Sequence, residues 1–328
     1  MWKSAQKRLG GAWASGALAL LMGLALASGP AAATGGTAAA SMEFAHAQGS
    51  VRLNKPPTRV VVFDLATLDM LQALGVEAAV VGVPAFKMPQ FLSAFEGDAR
   101  AKVGSLFEPN YEAIRALQPD AIFVGRRAQA RYAQLSLLAP TLDMAIDEAD
   151  AVQSIFANLR KLGQLFGREQ RAEELIAQAE QEIAALRAQA PSAGKAMLLL
   201  VSGGRINSYG PDSRMGMLFT AFGVQPAQAR GGQERHGQSI SFEYILQANP
   251  DWLLVLDRDA AIGREGAAAQ RLLDNALIKA TTAGKKGQIA YLDAMNWYVL
   301  DGAGITALRQ NVRQLQQLLG EAKNQAAQ

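Results

Sequence analysis

Short apolar runs and amphipathic stretches alternate along the first half of the chain. Residues 59–63 read RVVVF, a β-branched run typical of a strand that is buried on both faces of a sheet. Asp64 can cap the helix that follows, in which leucines recur at helical spacing until a glycine ends it. Further strands are predicted at residues 78–83 and 120–124, with a short helix at 111–118 between them. This alternation predicts a parallel sheet flanked by helices.

The stretch over residues 151–190 has a different pattern. It contains no proline, is rich in Ala, Glu, Gln, Leu and Arg, and repeats its apolar positions at helical spacing. It predicts one long helix with a break near Gly163 or Gly167. Because helices of this length are uncommon within one globular domain, we expect this helix to join two lobes.

One helix–turn–strand pattern occurs twice in the chain. Residues 111–124 (YEAIRALQPDAIFV) and 242–255 (FEYILQANPDWLLV) are identical at five of fourteen aligned positions, where chance pairing gives about one. Each copy carries a glutamate, Glu112 or Glu243, in the first turn of its helix, where the helix dipole favours a carboxylate by roughly 0.3–1 kcal/mol. The repeat predicts two lobes of similar plan, and a cleft between lobes is a common place for a ligand.

These patterns predict an α/β fold of two three-layer lobes with mainly parallel sheets, joined by one long α-helix. The predicted segments are a signal peptide (1–33), a leader with an N-terminal edge strand or hairpin (34–58), an N-terminal lobe (59–150), the connecting helix (151–190) and a C-terminal lobe (191–328).

The N-terminal residues indicate export. Lys3, Lys7 and Arg8 precede an apolar run over residues 12–27, and small-residue A-x-A patterns follow. An N-terminal membrane anchor is the alternative, although the run is short and rich in Gly and Ala. The chain has no cysteine, which excludes both disulfides and a lipid-modified cysteine. We therefore expect a monomeric, unanchored protein of the bacterial periplasm.

Charge and motifs exclude several classes of function. Without residues 1–33 the chain loses three of its 32 cationic residues and keeps 29 acidic ones, so it is neutral and has no charge signature of a nucleic-acid-binding protein. It lacks a G-x-S-x-G motif, and its two histidines are too few for a three-histidine metal site. Residues 301–307 match G-x-G-x-x-A, but too little chain follows them to complete a dinucleotide-binding unit.

The strongest candidates for ligand binding are arginines at strand ends and in loops: Arg126 and Arg127 follow one predicted strand, Arg258 follows another, and Arg214 lies in YGPDSRMG. Because carboxyl ends of parallel strands face the ligand crevice, these arginines could meet there and bind an anion. The alternative is that they are solvated loop residues in local ion pairs. His236 and Tyr298 lie in loops and are potential ligands of ferric iron, or else a surface histidine and a half-buried core aromatic.

Several stretches, taken together, resemble one known family. RVVVFDLATLDMLQALGV, VGSLFEPNYEAI, LQPDAIFVGRR, YGPDSRMG, HGQSISFEYILQANPDWLLVLDRDAAIG and NWYVLDGAG are similar to the periplasmic binding proteins of ferric-siderophore ABC importers. The similarity covers roughly residues 42–320 and is greatest to the branch that binds catecholates of the enterobactin and petrobactin kind.

The resemblance implies a binding protein and no enzyme, which carries a ferric siderophore but holds no fixed cofactor. It implies an arginine triad of Arg126, Arg214 and Arg258. The sequence repeat instead pairs Arg258 with Arg127, so both adjacent arginines are ligand-binding candidates, with Arg126 preferred.

The resemblance also implies that His236 and Tyr298 bind the iron of tetradentate chelates and that Trp297 lines the site. It implies that Glu112 and Glu243 dock on the two subunits of an ABC permease that works with an ATPase. Haem, cobalamin or a hydroxamate chelate is the alternative cargo, and an enzyme or chelatase that uses His236 and Tyr298 is the alternative class.

Overall fold

The structure is a computed structural model that describes residues 42–227, 235–263 and 268–326. The predicted signal peptide and the first residues of the leader lie outside the described residues. The chain starts there with an antiparallel hairpin of β1 (Met42–His46) and β2 (Gly49–Leu53). This confirms the hairpin that was one of the two predictions for the leader.

The N-terminal lobe is a five-stranded, entirely parallel sheet with short helices around it. Its strands are β3 (Val60–Val62), β4 (Val80–Val83), β5 (Ala101–Lys102), β6 (Ala121–Val124) and β7 (Thr141–Asp143), in the order β5-β4-β3-β6-β7. Its α-helices are α1 (Leu65–Ala73), α2 (Tyr111–Leu117) and α3 (Tyr132–Leu135). The predicted strand–helix alternation is therefore confirmed, and Asp64 caps α1 by accepting from the amide of Thr67.

The connecting helix breaks at Gly167, one of the two positions that the sequence predicted, so it consists of two helices. α4 (Ala151–Phe166) ends at Gly167, whose φ of 63° is left-handed, and α5 (Glu169–Gln189) begins two residues later. Glycine adopts this conformation without steric cost, so Gly167 terminates α4. The two helices then approach closely, since a Cβ on Gly163 would lie 2.9 Å from the Cβ of Ala172.

The C-terminal lobe is built on a mixed sheet. Its strands are β8 (Lys195–Ser202), β9 (Arg205–Tyr209), β10 (Gln225–Pro226), β11 (Gln238–Ser239), β12 (Trp252–Asp257) and β13 (Ile289–Tyr291), in the order β11-β9-β8-β12-β13 with β10 also on β8. Its helices are α6 (Met217–Thr220), α7 (Phe242–Ala248), α8 (Arg258–Ala261), α9 (Ala268–Leu273), α10 (Ala276–Ala280), α11 (Thr282–Lys285) and α12 (Ile305–Ala326), with a π-helix at Met295–Val299.

Strand β9 was not predicted from the sequence. It runs antiparallel to β8 after a two-residue turn at Gly203 and Gly204, whose φ angles are 54° and 74°. Two adjacent residues with positive φ make the tight turn that suits a twisted hairpin. The Gly-Gly pair was the available sequence signal for it.

The sequence repeat is also a structural repeat. Helices α2 and α7 both end on a left-handed residue, Gln118 or Asn249, which precedes a Pro-Asp pair. In both copies the aspartate joins its strand to the start of the neighbouring strand: Asp120 Oδ2 accepts from the amide of Arg59 at 3.1 Å, and Asp251 Oδ2 from that of Lys195 at 2.9 Å. The shared Pro-Asp thus fixes strand alignment in each lobe.

Helix α12 ties the two lobes together. It packs against α5 and against α1 of the N-terminal lobe. Asp69 of α1 is fully buried, and its Oδ2 accepts from the amides of Thr306 and Ala307 at 2.9 Å each. A Cβ at Gly304 would overlap this carboxylate. Asp69 therefore caps α12 from the other lobe. Among the described helices, none is long and apolar enough to cross a membrane.

The Asp69 contact predicts a pH dependence of stability. Burial raises the pKa of Asp69 from 3.8 to about 6, so the folded protein holds this proton more tightly than the unfolded chain. Protonated Asp69 therefore stabilises the folded state fully at pH values below its pKa in the unfolded chain, and this stabilisation is lost as the pH rises through about 6. Between about pH 4 and pH 7, the free energy of unfolding should fall by up to about 3 kcal/mol more in the wild type than in Asp69→Asn.

Urea unfolding at several pH values measures this difference. Asp120→Asn is the matched control, because backbone and side-chain hydrogen bonds lower the pKa of Asp120 and its contribution must be lost on acidification instead. Parallel pH profiles for the wild type and Asp69→Asn would contradict the prediction.

Candidate functional site

Arginines from both lobes converge at strand ends. Arg126 and Arg127 follow β6 after Gly125, where a Cβ would overlap the carboxylate of Asp64, so the backbone passes close to α1. Arg258 directly follows β12 as the first residue of α8. Arg214 lies in the loop between β9 and α6 and is only 8% exposed. Arg126, Arg127 and Arg258 thus lie at the carboxyl ends of parallel strands, whereas Arg214 lies in the loop after the antiparallel strand β9.

Three of these arginines surround Tyr298. The guanidinium carbons of Arg214, Arg127 and Arg258 lie 4.8, 5.5 and 5.5 Å from the centre of its ring. Arg258 Nε also donates to Tyr298 Oη at 2.7 Å. An aromatic ring face attracts cations, so Tyr298 provides favourable contacts that partly offset the repulsion between the guanidinium groups.

Asp301 joins the remaining arginine to this group. Arg126 donates to it through Nε at 2.9 Å and Nη2 at 2.7 Å, and Arg214 donates through Nη1 at 2.7 Å. The paired-donor geometry of Arg126 is among the strongest arrangements for a carboxylate. We call Arg126, Arg127, Arg214, Arg258, Tyr298 and Asp301 the arginine cluster.

Arg127 also connects the lobes through the backbone. Its Nη2 donates to the carbonyl oxygens of Tyr298 at 2.7 Å and Val299 at 3.3 Å. Burial lowers the pKa of the Arg127 guanidinium, and Arg126 and Arg214 contribute to the lowering while Asp301 opposes it. Arginine nevertheless remains protonated in proteins, so the cluster keeps its positive charges.

The adjacent candidates Arg126 and Arg127 have different surroundings. Both of the Arg126 contacts are with Asp301, whereas Arg127 lies over the Tyr298 ring with Arg214 and Arg258. Around the Tyr298 ring the structure therefore groups Arg127 with Arg214 and Arg258, whereas Arg126 is connected with Arg214 through Asp301. This is also the pairing that the sequence repeat indicated.

Trp297 lies apart from the cluster. Its side chain is 1% exposed and packs edge-to-face on Phe222, with ring centres 6.0 Å apart. Successive residues of a helix point in directions about 100° apart, so the turn that presents Tyr298 turns Trp297 into the core. The sequence motif gave no sign of this difference.

His236 is exposed and lies next to Gly237, where a Cβ would clash with the ring of Tyr209. Its neighbour Arg235 forms a two-bond ion pair with Glu148 of the N-terminal lobe, with both distances 2.8 Å. The Arg235–Glu148 ion pair thus ties the residue before His236 to the N-terminal lobe. The exposed His236 imidazole is accessible to a ligand.

Sequence reasoning missed two residues at the cluster. Phe107, 54% exposed, lies in the loop after β5 with the Arg127 guanidinium 5.7 Å from its ring centre. A large apolar residue in a turn-rich loop was the available signal. Asp301 lies at the start of the glycine-containing motif over residues 301–307, whose pattern does not indicate a bond to arginine.

A cavity of about 460 Å³ adjoins Asp301 but does not reach Tyr298, Arg127 or Arg258. Four cationic and four acidic side chains line it: Arg126, Arg214, Arg235 and Lys161 with Asp64, Asp147, Glu148 and Asp301. Burial lowers the pKa of the His46 imidazole and raises that of the Asp64 carboxyl. The cavity shares Arg126, Arg214 and Asp301 with the arginine cluster but lacks Arg127 and Arg258, so the cluster as a whole has the larger excess of positive charge and is the better anion site.

Both repeated glutamates are exposed in the first turns of their helices, Glu112 on α2 and Glu243 on α7. A hydrogen bond from Ser241 lowers the pKa of Glu243. Each lobe therefore presents one carboxylate at the same place in its repeat.

Residues 60–295 match the family model described as periplasmic binding protein. The chain belongs to the periplasmic binding protein family. It is a substrate-binding protein and not an enzyme, and it holds no fixed cofactor.

Two curated proteins resemble this periplasmic binding protein over most of their length. The petrobactin-binding protein YclQ of Bacillus subtilis is 35% identical over 269 residues, which cover 82% of this chain and 84% of YclQ. The ferric-anguibactin-binding protein FatB of Vibrio anguillarum is 32% identical over 270 residues, which cover 80% and 83% of the two chains.

Solved structures agree with these relatives. The crystal structure of YclQ superposes with a TM-score of 0.82 at 33% identity, covering 85% of this chain and 98% of YclQ. The catecholate-siderophore binding protein VctP of Vibrio cholerae gives a TM-score of 0.79 at 34% identity, covering 84% and 99%. The family's α/β fold in two lobes is therefore confirmed.

Proposed function

We propose that this periplasmic binding protein captures a ferric catecholate-type siderophore on the arginine cluster and delivers it to an ABC permease for iron uptake. The observation that carries the proposal is the convergence of Arg127, Arg214 and Arg258 on Tyr298. A ferric tris-catecholate is a trianion with aromatic rings, and a cationic cluster beside Tyr298 and the exposed Phe107 suits both properties. The named ligands of YclQ, FatB and VctP support the same class.

Within this proposal, Arg127 takes the place in the triad that the sequence motif gave to Arg126. Its guanidinium lies against the Tyr298 ring, whereas that of Arg126 is bonded to Asp301. Trp297 has no contact role because its side chain is buried.

The first prediction concerns the arginines. Arg127→Gln, Arg214→Gln and Arg258→Gln should each weaken binding of a ferric tris-catecholate by about tenfold or more, because each loses a charge-assisted contact. Arg126→Gln should have a smaller effect, since it loses only its charge. Quenching of tryptophan fluorescence measures the affinities, and Arg160→Gln, an exposed arginine of α4 paired with Glu173, is the control. A larger loss in Arg126→Gln than in Arg127→Gln would restore the original triad.

His236 and Tyr298 would complete the iron shell of a tetradentate chelate, which leaves two of six coordination positions open. Arg258 orients the Tyr298 oxygen by donating to it, and the exposed His236 imidazole can approach from the C-terminal lobe. Imidazole and phenolate are both suitable ligands for ferric iron.

The second prediction tests this coordination. His236→Ala and Tyr298→Phe should each weaken binding of a ferric tetradentate catecholate by about tenfold and shift its charge-transfer absorption, since each removes an iron ligand. A hexadentate catecholate, whose iron has no open position, should be unaffected by His236→Ala. Tyr132→Phe, at a tyrosine that contacts His46 instead, is the control. Unchanged tetradentate affinity and spectrum in both variants would refute direct coordination, and binding of haem or a hydroxamate without any catecholate would refute the cargo class.

Export through a signal peptide and an unanchored, monomeric mature protein are part of this proposal. So is docking of Glu112 and Glu243 on the two subunits of the permease, which works with an ATPase. The supporting observation is that each lobe exposes one glutamate at the same position of its repeat, because a twofold partner requires the same contact twice.

The third prediction separates docking from helix stabilisation. Glu112→Lys with Glu243→Lys should abolish uptake of the ferric chelate in cells and leave its affinity for the purified protein unchanged. Glu169→Lys is the matched control, because Glu169 is also an exposed first-turn glutamate, on α5. All three sites should lose the same favourable interaction of a carboxylate with the helix dipole. Uptake that survives the double substitution would refute docking at these residues.

A further inference from the structure

Asp301 is the one carboxylate bonded to the arginine cluster among the described residues. It bonds Arg126 of the N-terminal lobe and Arg214 of the C-terminal lobe, which places a negative charge where an anionic ligand would otherwise meet only cations. Two other acids that line the cavity beside Asp301 have different partners, since Asp64 caps α1 and Glu148 pairs with Arg235.

The backbone holds this carboxylate in place. Asp301 has a φ of 54°, in the left-handed region that side chains other than glycine enter at some cost. The turn around it is fixed, because the amide of Gly302 donates to Asn296 at 2.8 Å and that of Ala303 donates to Leu300 at 2.9 Å. A glycine at position 301 would adopt this conformation without strain, but it would have no carboxylate to bond Arg126 and Arg214.

Asp301 gives the arginine cluster a defined net charge. Four arginines carry four positive charges, and Asp301 removes one of them. Removal of Asp301 would leave the four guanidinium groups, among the described contacts, with uncharged partners only: aromatic rings, the hydroxyls of Tyr298 and Ser202, and backbone carbonyls. At these short distances each unit of charge matters. With Asp301 present, the cluster carries a net charge of three and balances a trianion.

We propose that Asp301 is an internal counter-anion that sets the net charge of the arginine cluster and thereby determines which ligand charge the protein prefers. The assignment of ferric catecholates rests on the proposed function, but the charge preference does not. Asp301 is a specificity-determining residue that stays bonded to Arg126 and Arg214 while Arg127, Arg214 and Arg258 contact the ligand.

Three variants test the proposal. Asp301→Asn removes the charge but keeps an acceptor oxygen and a residue type that tolerates the left-handed region. Arg126→Gln removes one cation, and the double variant removes one charge of each sign. Asp147→Asn is the control, since Asp147 lines the same cavity but accepts from the amide of Ala149 instead of an arginine. Thermal unfolding of each ligand-free variant confirms that it is folded.

The probes are two pairs of ligands that differ in charge. Ferric tris-catecholate and neutral ferric tris-hydroxamate report on the proposed cargo. Hexacyanoferrate(II) and hexacyanoferrate(III), nearly equal in size and differing by one charge, report on the cluster without any siderophore. Affinities are measured at low ionic strength, because salt screens the effect.

Asp301→Asn should shift both affinity ratios towards the more negative ligand, about tenfold for the hexacyanoferrates, which differ by one charge, and more for the catecholate and hydroxamate, which differ by three. Arg126→Gln should shift both ratios in the opposite direction, and the double variant should return them to the wild-type values. Asp147→Asn should leave them unchanged. Unshifted ratios in a folded Asp301→Asn variant, or a double variant that stays shifted, would overturn the proposal and reduce Asp301 to a lobe-bridging contact. If no ferric chelate binds the wild type, the proposed function fails and the hexacyanoferrate ratios still decide the role of Asp301. Absence of hexacyanoferrate binding in every variant would also overturn it.

Discussion

The gathering of four guanidinium groups at one point is the constraint on which the rest of the structure depends. Like charges at this separation repel, and each arginine is therefore held by a particular partner: the face of Tyr298, the carboxylate of Asp301, or the carbonyls of Tyr298 and Val299. The π-helix and the turn that follows it supply all of these partners from one short segment. Because the arginines come from both lobes, the contacts that offset the repulsion between their charges also join the lobes.

Duplication explains how arginines reach this point from both sides. In each lobe a short helix ends on a left-handed residue, a Pro-Asp pair aligns the next strand with its neighbour, and that strand ends at an arginine. The two copies then diverge. β6 is followed by two arginines, of which one bonds Asp301, whereas β12 is followed by one that begins a helix and bonds Tyr298. A symmetric scaffold thus presents an asymmetric set of donors.

Much of the fold was predictable from the sequence, because buried parallel strands and amphipathic helices have strong local patterns. The repeat and the position of arginines at strand ends were predictable for the same reason. What could not be predicted depends on direction and on distant partners. Trp297 and Tyr298 are adjacent in sequence but face the core and the cluster, and only the helix phase decides which. Arg126 and Arg127 are distinguished by partners far along the chain, Asp301 for one and the carbonyls of Tyr298 and Val299 for the other. The motif around Asp301 does not indicate its bonds to arginine.

The cap that α1 places on α12 has a consequence for how the molecule unfolds. A residue near the start of the described chain closes the last helix, and that helix packs along α5 between the lobes. Unfolding of either sheet would therefore expose the N-terminus of α12 together with its apolar face. A form with only one lobe folded would thus be little more stable than the fully unfolded chain. The two sheets should melt as one cooperative unit, without the partly open species that proteases outside the cytoplasm attack most readily.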